Sequence, residues 1–498
     1  MKSLNEKVLY IYLFVYAILW TLIGSLKNSG GVDALEAISW GDLVSFGTNK
    51  HPPFSGWLMG GFYHLLGDND IAIYILGQIC LLVGFVFIYK LAKNFLTEEK
   101  AIGATVIISI TFYYAYQTFI DNFNCNIISM CLWPILVYYF YKSIKENKIK
   151  DWSLLGFIAG ISFLAKYQVA FLFISMFLYL LLFDRKQFTK MGLYVAGIVA
   201  TLVVLPHFVW LYQNDFFSMN YIMGRTNVDI NNTPISLVKY GRIVFPIKFY
   251  GDQILAMMPC FAIYLIAALR GKEIKFDNTK ENFSDKMFLV FVGLLPMVIL
   301  GGMGLITGNR VVGNWGSTMI GFCGILLFYF FPIKFDKEIF KYFMKWIVAI
   351  VCLWVIGVSI FLFLQTKMVV GYPHQMIMKD FDEIWATETN NAPLKYVLGH
   401  PFYIFQFNVY DKQKPTIVLD THGHSNPWIS EEEVIKNGVL VIMENKNNFE
   451  QKVRNYLPSL PSNYKLKPKK YTFKITNKIN KSQEYDVYYE IIPPAKAF

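Results

Sequence analysis

The chain has 498 residues, 55% of them hydrophobic and only 16% charged, which excludes an ordinary soluble globular domain. Its formal net charge is +11, but the lysines and arginines gather at the ends of apolar segments. The excess therefore reads as membrane topology and attraction to anionic headgroups, and a nucleic-acid-binding stripe is excluded.

A hydrocarbon core of about 30 Å needs about 20 apolar residues per helix. Eleven segments are predicted to span: 8–25, 71–89, 101–117, 126–141, 152–165, 168–183, 191–212, 252–269, 287–306, 315–331 and 344–364. Lys2 and Lys7 precede the first, which lacks a small-residue cleavage site and reads as a retained signal-anchor. Alternate connections are basic: Lys90, Lys93 and Lys100; Lys142, Lys145, Lys148 and Lys150; Arg185, Lys186 and Lys190; Arg270, Lys272 and Lys275; Lys334, Lys337, Lys341 and Lys345. The opposite connections are much poorer in Lys and Arg. The positive-inside rule puts the N-terminus in the cytoplasm and the first loop outside.

That first loop, 26–70, carries the densest chemistry, from Asp33 through Glu36, Asp42 and Lys50 to His51. Acidic groups beside a span are costly to desolvate and serve a site or sit in water. Pro52-Pro53 removes two amide donors and stiffens the loop end. Trp40, Trp57 and Tyr63 are expected on the headgroup layer. Farther on, Lys166-Tyr167-Gln168 separates two short spans on the outer side, an arrangement that opens a cavity toward the outer leaflet. Arg225 and Arg310 fall on outer connections as well.

An odd number of spans places everything after about Leu364 outside. Alternating runs at Thr416–Leu419, Val439–Met443, Tyr471–Ile475 and Tyr485–Ile491 predict strands in a small α/β or β-rich extracytoplasmic domain. The chain thus divides into a transmembrane part, 1–364, and a C-terminal domain, 365–498. The six cysteines have neither metal nor disulfide spacing and read as buried small hydrophobes, with a Cys125–Cys131 link left open. His422-Gly423-His424 reads as a surface loop, since no third ligand lies at a suitable spacing.

The series Asp33, Trp40, Gly47 and His51-Pro52-Pro53 resembles the first-loop signature of bacterial glycosyltransferase family 39 proteins. These are of the dolichyl-phosphate-mannose–protein mannosyltransferase type, lipid A aminoarabinose transferases included. QTFIDNF around Asp121, LAKYQ at 164–168, LPHFVWLYQND at 205–215, YGDQILAMMP at 250–259 and GNRVVGNW at 308–315 resemble later family blocks in order. The likeness is close over about 8–330 and loose in the tail. Two departures stand out: the family's Asp-Glu pair is Asp33-Ala34 here, and the acid before His-Pro-Pro is Lys50.

The resemblance implies a GT-C-like, mainly α, polytopic helical bundle and inverting transfer of a sugar from a polyprenyl-phosphate donor to an acceptor on the outer face. The favoured acceptor is lipid A or another surface glycolipid; protein O-glycosylation and a transporter or flippase of lipid-linked saccharides are the alternatives. Asp33 is the expected catalytic base, with Asp121 binding sugar hydroxyls or assisting it. Lys166, Arg225 and Arg310 are expected at the donor phosphate, with Lys50 and His51 serving the same phosphate or an anionic acceptor. Either Glu36 or Asp42 stands in for the missing second acid or the acceptor has changed, and Tyr167 and Trp315 line the site. No metal motif occurs; a divalent cation held by Asp33 and Asp121 is an open alternative.

Overall fold

The computed structural model describes residues 3–226, 235–271, 283–419 and 429–495. Through the apolar part run helices α1 Leu4–Gly24, α2 Val32–Asp42, α3 Phe54–Leu65, α4 Ile71–Ala92, α5 Glu98–Val106, α6 Thr118–Asp121, α7 Cys125–Glu146, α8 Ile149–Ala165 and α9 Ala170–Phe183. These are followed by α10 Met191–Gln213, α11 Phe217–Thr226, α12 Ile235–Gly271, α13 Phe283–Gly293, α14 Leu295–Thr307, α15 Cys323–Phe330 and α16 Lys337–Leu364. The tail holds α17 Met368–Gly371, α18 His374–Thr389, strand β1 Tyr396–Gly399, α19 Pro401–Tyr410, β2 Thr416–Leu419, α20 Glu431–Asn437, β3 Val439–Met443, α21 Phe449–Tyr456, β4 Lys469–Thr476 and β5 Ser482–Ile492.

Every predicted apolar segment holds helix, but not every one holds a helix long enough to cross. Six described helices have the length and apolarity to span: α1, α4, α7, α10, α12 from Tyr240, and α16. The bent pair α13–α14, which turns by 44°, makes a seventh if counted as one span. The segments expected at 101–117 and 315–331 are broken into an α-helical piece and 3₁₀ or π turns. Free peptide groups are costly in hydrocarbon, and non-helical backbone is tolerated there only inside protein or along a cavity. The break after α5 obeys this rule. Ile107, Ile108 and Ile110 are fully buried, Phe112 N donates to the Ala256 carbonyl at 3.1 Å, and Trp354 Nε1 donates to the Ile110 carbonyl at 3.2 Å.

The two ends of the bundle differ in chemistry. At one end Lys142 pairs with Asp151 at 2.8 Å and Lys145 with Asp285 at 2.9 Å, among the basic connections noted above. Lys272 and Lys275 lie outside the described residues. At the other end sit the first loop, the Lys166 break and the tail.

The first loop is largely helical: it folds into the α2–α3 hairpin. Glycines make that hairpin tight, since a Cβ on Gly41 would come within 2.6 Å of both the Gly56 carbonyl oxygen and the Gly60 Cα. Trp40 and Tyr63, expected on the headgroup layer, are instead buried at 6% and 2% exposure. Their rings fill the space between the hairpin and the tail, where burying a large apolar ring gains more than lying at an interface.

The tail forms one five-stranded sheet in the order β2-β1-β3-β5-β4, parallel through its first three strands and antiparallel at β5 and β4. One face shares a core with the hairpin: Leu35, Ile38 and Met59 pack in a single cluster with Phe381, Phe405, Leu440 and Phe473. Polar ties reinforce the contact. Tyr410 Oη donates to Asp70 Oδ2 at 2.6 Å and accepts from Gly30 N at 3.0 Å, and Lys414 meets Asp68 at 2.8 Å. All six cysteines are free. Cys125 and Cys131 are six residues apart on α7, a rise of about 9 Å, beyond disulfide reach. Cys352, expected buried, is exposed on α16, since that helix presents a face of its own to the surroundings.

Two stability measurements on detergent-solubilised protein test this packing. Gly41→Ala lowers stability by about 1–3 kcal/mol through overpacking, whereas Gly61→Ala, whose Cβ meets nothing within 4 Å, is neutral or slightly stabilising. The second concerns Asp411 at the end of α19, whose carboxyl is pushed up to about 6 from 3.8 by burial and by nearby Asp382. An acid with a raised folded pKa stabilises fully below its unfolded value and loses that contribution as pH rises through about 6. Asp411→Asn therefore raises the unfolding midpoint at pH 8, on the order of 1 kcal/mol, with little effect at pH 4.

Candidate functional site

A cavity of about 270 Å³ lies where the hairpin, the start of α7, the α8–α9 break, α14 and the turn 313–316 meet. Connections from widely separated parts of the sequence converge there. Of the residues singled out by sequence, Asp33, Glu36, Lys50, His51, Lys166, Tyr167 and Trp315 all line it.

Helix α2 supplies Asp33, Glu36, Ala37 and Trp40, the spacing of one helical face. Ala34, one residue off that face, is fully buried in the core, so a glutamate there would point away from the cavity. Glu36, one turn on from Asp33, occupies the cavity face instead. It is buried and meets Lys50 Nζ at 2.5 Å, with side-chain exposures of 4% and 15%. Burial alone would lower the Lys50 ammonium; the Glu36 carboxylate and Tyr221 outweigh it, and the net direction is upward. Asp33 is exposed within the first turn of α2, where the helix dipole favours a carboxylate. Asn124 Nδ2 donates to it at 3.4 Å while Asn124 Oδ1 caps α7 by accepting from Asn126 N and Ile127 N.

Lys166 sits in extended backbone where α8 ends. Its side chain is buried, donates to Asn126 Oδ1 and lies 6.0 Å from the Trp315 ring. An ammonium in such a place is sustained by polar partners and by neighbouring carboxylates. The opposite wall is equally fixed: Gln168 Nε2 donates to the Trp315 carbonyl at 2.5 Å, and Tyr113 Oη and Gln253 Nε2 donate to the Gly313 carbonyl at 2.8 and 2.9 Å. His207 Nδ1 donates to the Phe46 carbonyl at 2.6 Å, which leaves Nε2 to accept from Tyr167 Oη at 2.7 Å. Phe171, Leu300 and Met303 complete the lining with apolar surface, and Met303 is itself exposed on the outside of the bundle.

Other expected residues lie elsewhere. Arg310 is exposed and is not among the lining residues. Asp42 faces away and holds His64 Nε2 at 2.7 Å; Asp68 holds the other ring nitrogen at 2.6 Å, and the two carboxylates raise the imidazole above its ordinary value. The backbone of Asp121 closes α6, but the side chains of Asp121 and Arg225 lie outside the described residues, as do His422 and His424. No group of three or more His, Cys, Asp or Glu placed to hold a metal ion occurs among the described residues.

Sequence reasoning missed Asn124, Asn126, Gln168, Asn314 and Tyr221, all on the lining. The run Asn122-Phe-Asn124-Cys-Asn126 at the mouth of an apolar span was the available signal. It also missed Lys27, buried in the first loop, whose Nζ donates to the Phe119 and Ile120 carbonyls at 2.9 and 3.1 Å and so fixes the segment leading into those asparagines.

The arrangement offers an accessible carboxylate, two ammonium groups, an imidazole and an apolar exit. It suits an anionic, partly apolar ligand. Its stability rests on charge compensation. Glu36→Gln should cost roughly 3 kcal/mol by stranding Lys50, and adding Lys50→Met should restore most of the loss in thermal unfolding.

Residues 50–210 match the family described as dolichyl-phosphate-mannose-protein mannosyltransferase. The chain is 23% identical over 287 residues to the lipopolysaccharide core galacturonosyltransferase RgtA of Rhizobium johnstonii, a match covering 55% of each chain. It is 23% identical over 362 residues to the lipid A galacturonosyltransferase RgtD of the same organism, covering 71% of this chain and 68% of that one. The match thus spans about half the length of the first relative.

Proposed function

We propose that this chain, which carries the membrane glycosyltransferase pattern of the dolichyl-phosphate-mannose–protein mannosyltransferase type, moves a sugar from a polyprenyl-phosphate donor to a lipid acceptor. The acceptor class is lipid A or a related surface glycolipid, in keeping with the names of the two relatives. The reaction site lies on the non-cytoplasmic side of a bacterial inner membrane, with the N-terminus inside and the tail outside. The observation that carries the reading is the convergence of Asp33, Lys50 and Lys166 on one cavity with an apolar exit past Leu300 and Met303.

In this reading the acceptor hydroxyl attacks the anomeric carbon from the face opposite the phosphate. Asp33 takes the hydroxyl proton as the new C–O bond forms, the bond from anomeric carbon to phosphate oxygen breaks, and polyprenyl phosphate leaves. The configuration inverts. Lys166, with Lys50 and His51 beside it, balances the negative charge that grows on the leaving phosphate. Where the acceptor is itself a phosphate, Asp33 instead steadies positive charge on the sugar. The sugar named for both relatives is a uronic acid, whose carboxylate is a further anion that Lys50 can meet.

Membrane fractions given radiolabelled polyprenyl-phosphate sugar should pass label into extractable glycolipid; label confined to protein would overturn the lipid acceptor. Asp33→Asn should lower turnover by about 10²–10⁴-fold at normal membrane abundance. Lys166→Ala should raise donor KM by about tenfold or more, and Lys166→Arg should recover part of it, because charge matters more than shape for a phosphate contact.

A further inference from the structure

On the far side of Trp40 lies a second cavity, of about 310 Å³, between the hairpin and the tail. Trp40, Asp42 and Asn49 contribute from the first loop; Phe405, Asn408 and Thr416 contribute from the tail. Trp40 lines both cavities, and the loop alternates between them: Asn49 faces this one, Lys50 and His51 the reaction cavity. A ligand here would sit one side-chain layer from the proposed chemistry.

Two buried amides on the lining are incompletely used. Asn49, 1% exposed, accepts from Trp40 Nε1 at 3.0 Å through Oδ1, but its Nδ2 has no partner among the described residues. Asn408, 8% exposed, donates to the Pro415 carbonyl at 3.2 Å, but its Oδ1 has none among the described residues. Buried polar atoms are nearly always paired, and an orphan donor and an orphan acceptor on one cavity call for a ligand that both accepts and donates. Hydroxyls do both, and adjacent hydroxyls on one ring can serve the two amides together. Trp40 adds a flat apolar surface on which the C–H face of a sugar packs.

We propose that this cavity is a saccharide-binding site that holds the sugar portion of the glycolipid acceptor while its reacting hydroxyl reaches past Trp40. The role as acceptor subsite rests on the transferase reading; saccharide binding itself does not. A saccharide is favoured over a peptide because the two orphan groups are side-chain amides that neighbouring ring hydroxyls can serve together; peptide binding is an outcome of the test.

The test uses the full-length protein in detergent, titrated calorimetrically with a panel of neutral and phosphorylated disaccharides and with a Ser/Thr-containing tetrapeptide. Thr416 is exposed, so Thr416→Trp narrows the cavity without touching the core; Asn408→Leu removes the orphan acceptor. At least one disaccharide should bind, each variant should weaken it at least tenfold, Thr416→Trp should do so at unchanged unfolding midpoint, and Asp33→Asn should bind it as the wild type does. In the transfer assay Thr416→Trp should raise acceptor KM at least fivefold with donor KM unchanged. Binding that persists in a protein showing no transfer supports the saccharide site and counts against the reaction. Absence of disaccharide binding, wild-type affinity in both cavity variants, or preference for the peptide would overturn the site.

Discussion

One ion pair sets the geometry on which the candidate site depends. Glu36 and Lys50 meet at 2.5 Å where Glu36 is buried and Lys50 is only 15% exposed, so removing either partner strands a charge in a poorly solvated place. The pair ties α2 to the loop that runs into Pro52-Pro53 and α3. Residues on either side are positioned by the same tie: Asp33 one turn earlier on α2, His51 one residue later on the loop. A hydrophobic pair of similar volume would hold the hairpin as firmly at less desolvation cost. The ionic version also fixes where charge stands in the cavity, and this is what an anionic ligand would sense.

The second constraint comes from the hydrocarbon. Backbone can leave the helix at membrane depth only where protein encloses it or a cavity hydrates it. The breaks at Lys166 and at 313–316 satisfy that rule by lining the same cavity. A cation placed at such a break has a reason to be there. Within a continuous apolar helix it would snorkel to the headgroups; at the end of α8 it is held by Asn126 and faces inward.

Much of this was legible in the sequence because the relevant signals are local. Each predicted apolar run holds helix, alternation marked β2, β3, β4 and β5, and short segments flanking Lys166 marked a break, whereas the helices of the first loop and of the tail left no such signal. What stayed hidden is tertiary. Four residues of β1 cannot be told by pattern from any short apolar run, and whether Trp40 or Tyr63 turns to lipid or to protein depends on a tail several hundred residues away. The number of crossing helices was obscured because composition cannot show that a helix such as α5 stops after nine residues. The run holding the asparagines at 124 and 126 does not by itself separate them from ordinary polar residues at a helix start, and only their position at the head of α7 near Asp33 gives them a place in the cavity.

The two departures from the first-loop pattern are coupled by this geometry. Position 34 faces the core, and Glu36 is the acid of this helix that joins Asp33 on the cavity face. Position 50 approaches the same spot from the loop. Had it kept an acid, Asp33, Glu36 and residue 50 would place three carboxylates around one small space, and mutual repulsion would favour protonation or a cation from outside. With lysine there, the countercharge is built into the chain: Glu36 is neutralised by Lys50, Asp33 is left as the accessible carboxylate, and Lys166 supplies a second positive charge for an incoming anion. The charge pattern that would otherwise draw a cation into the site is thus suited to receiving an anionic ligand.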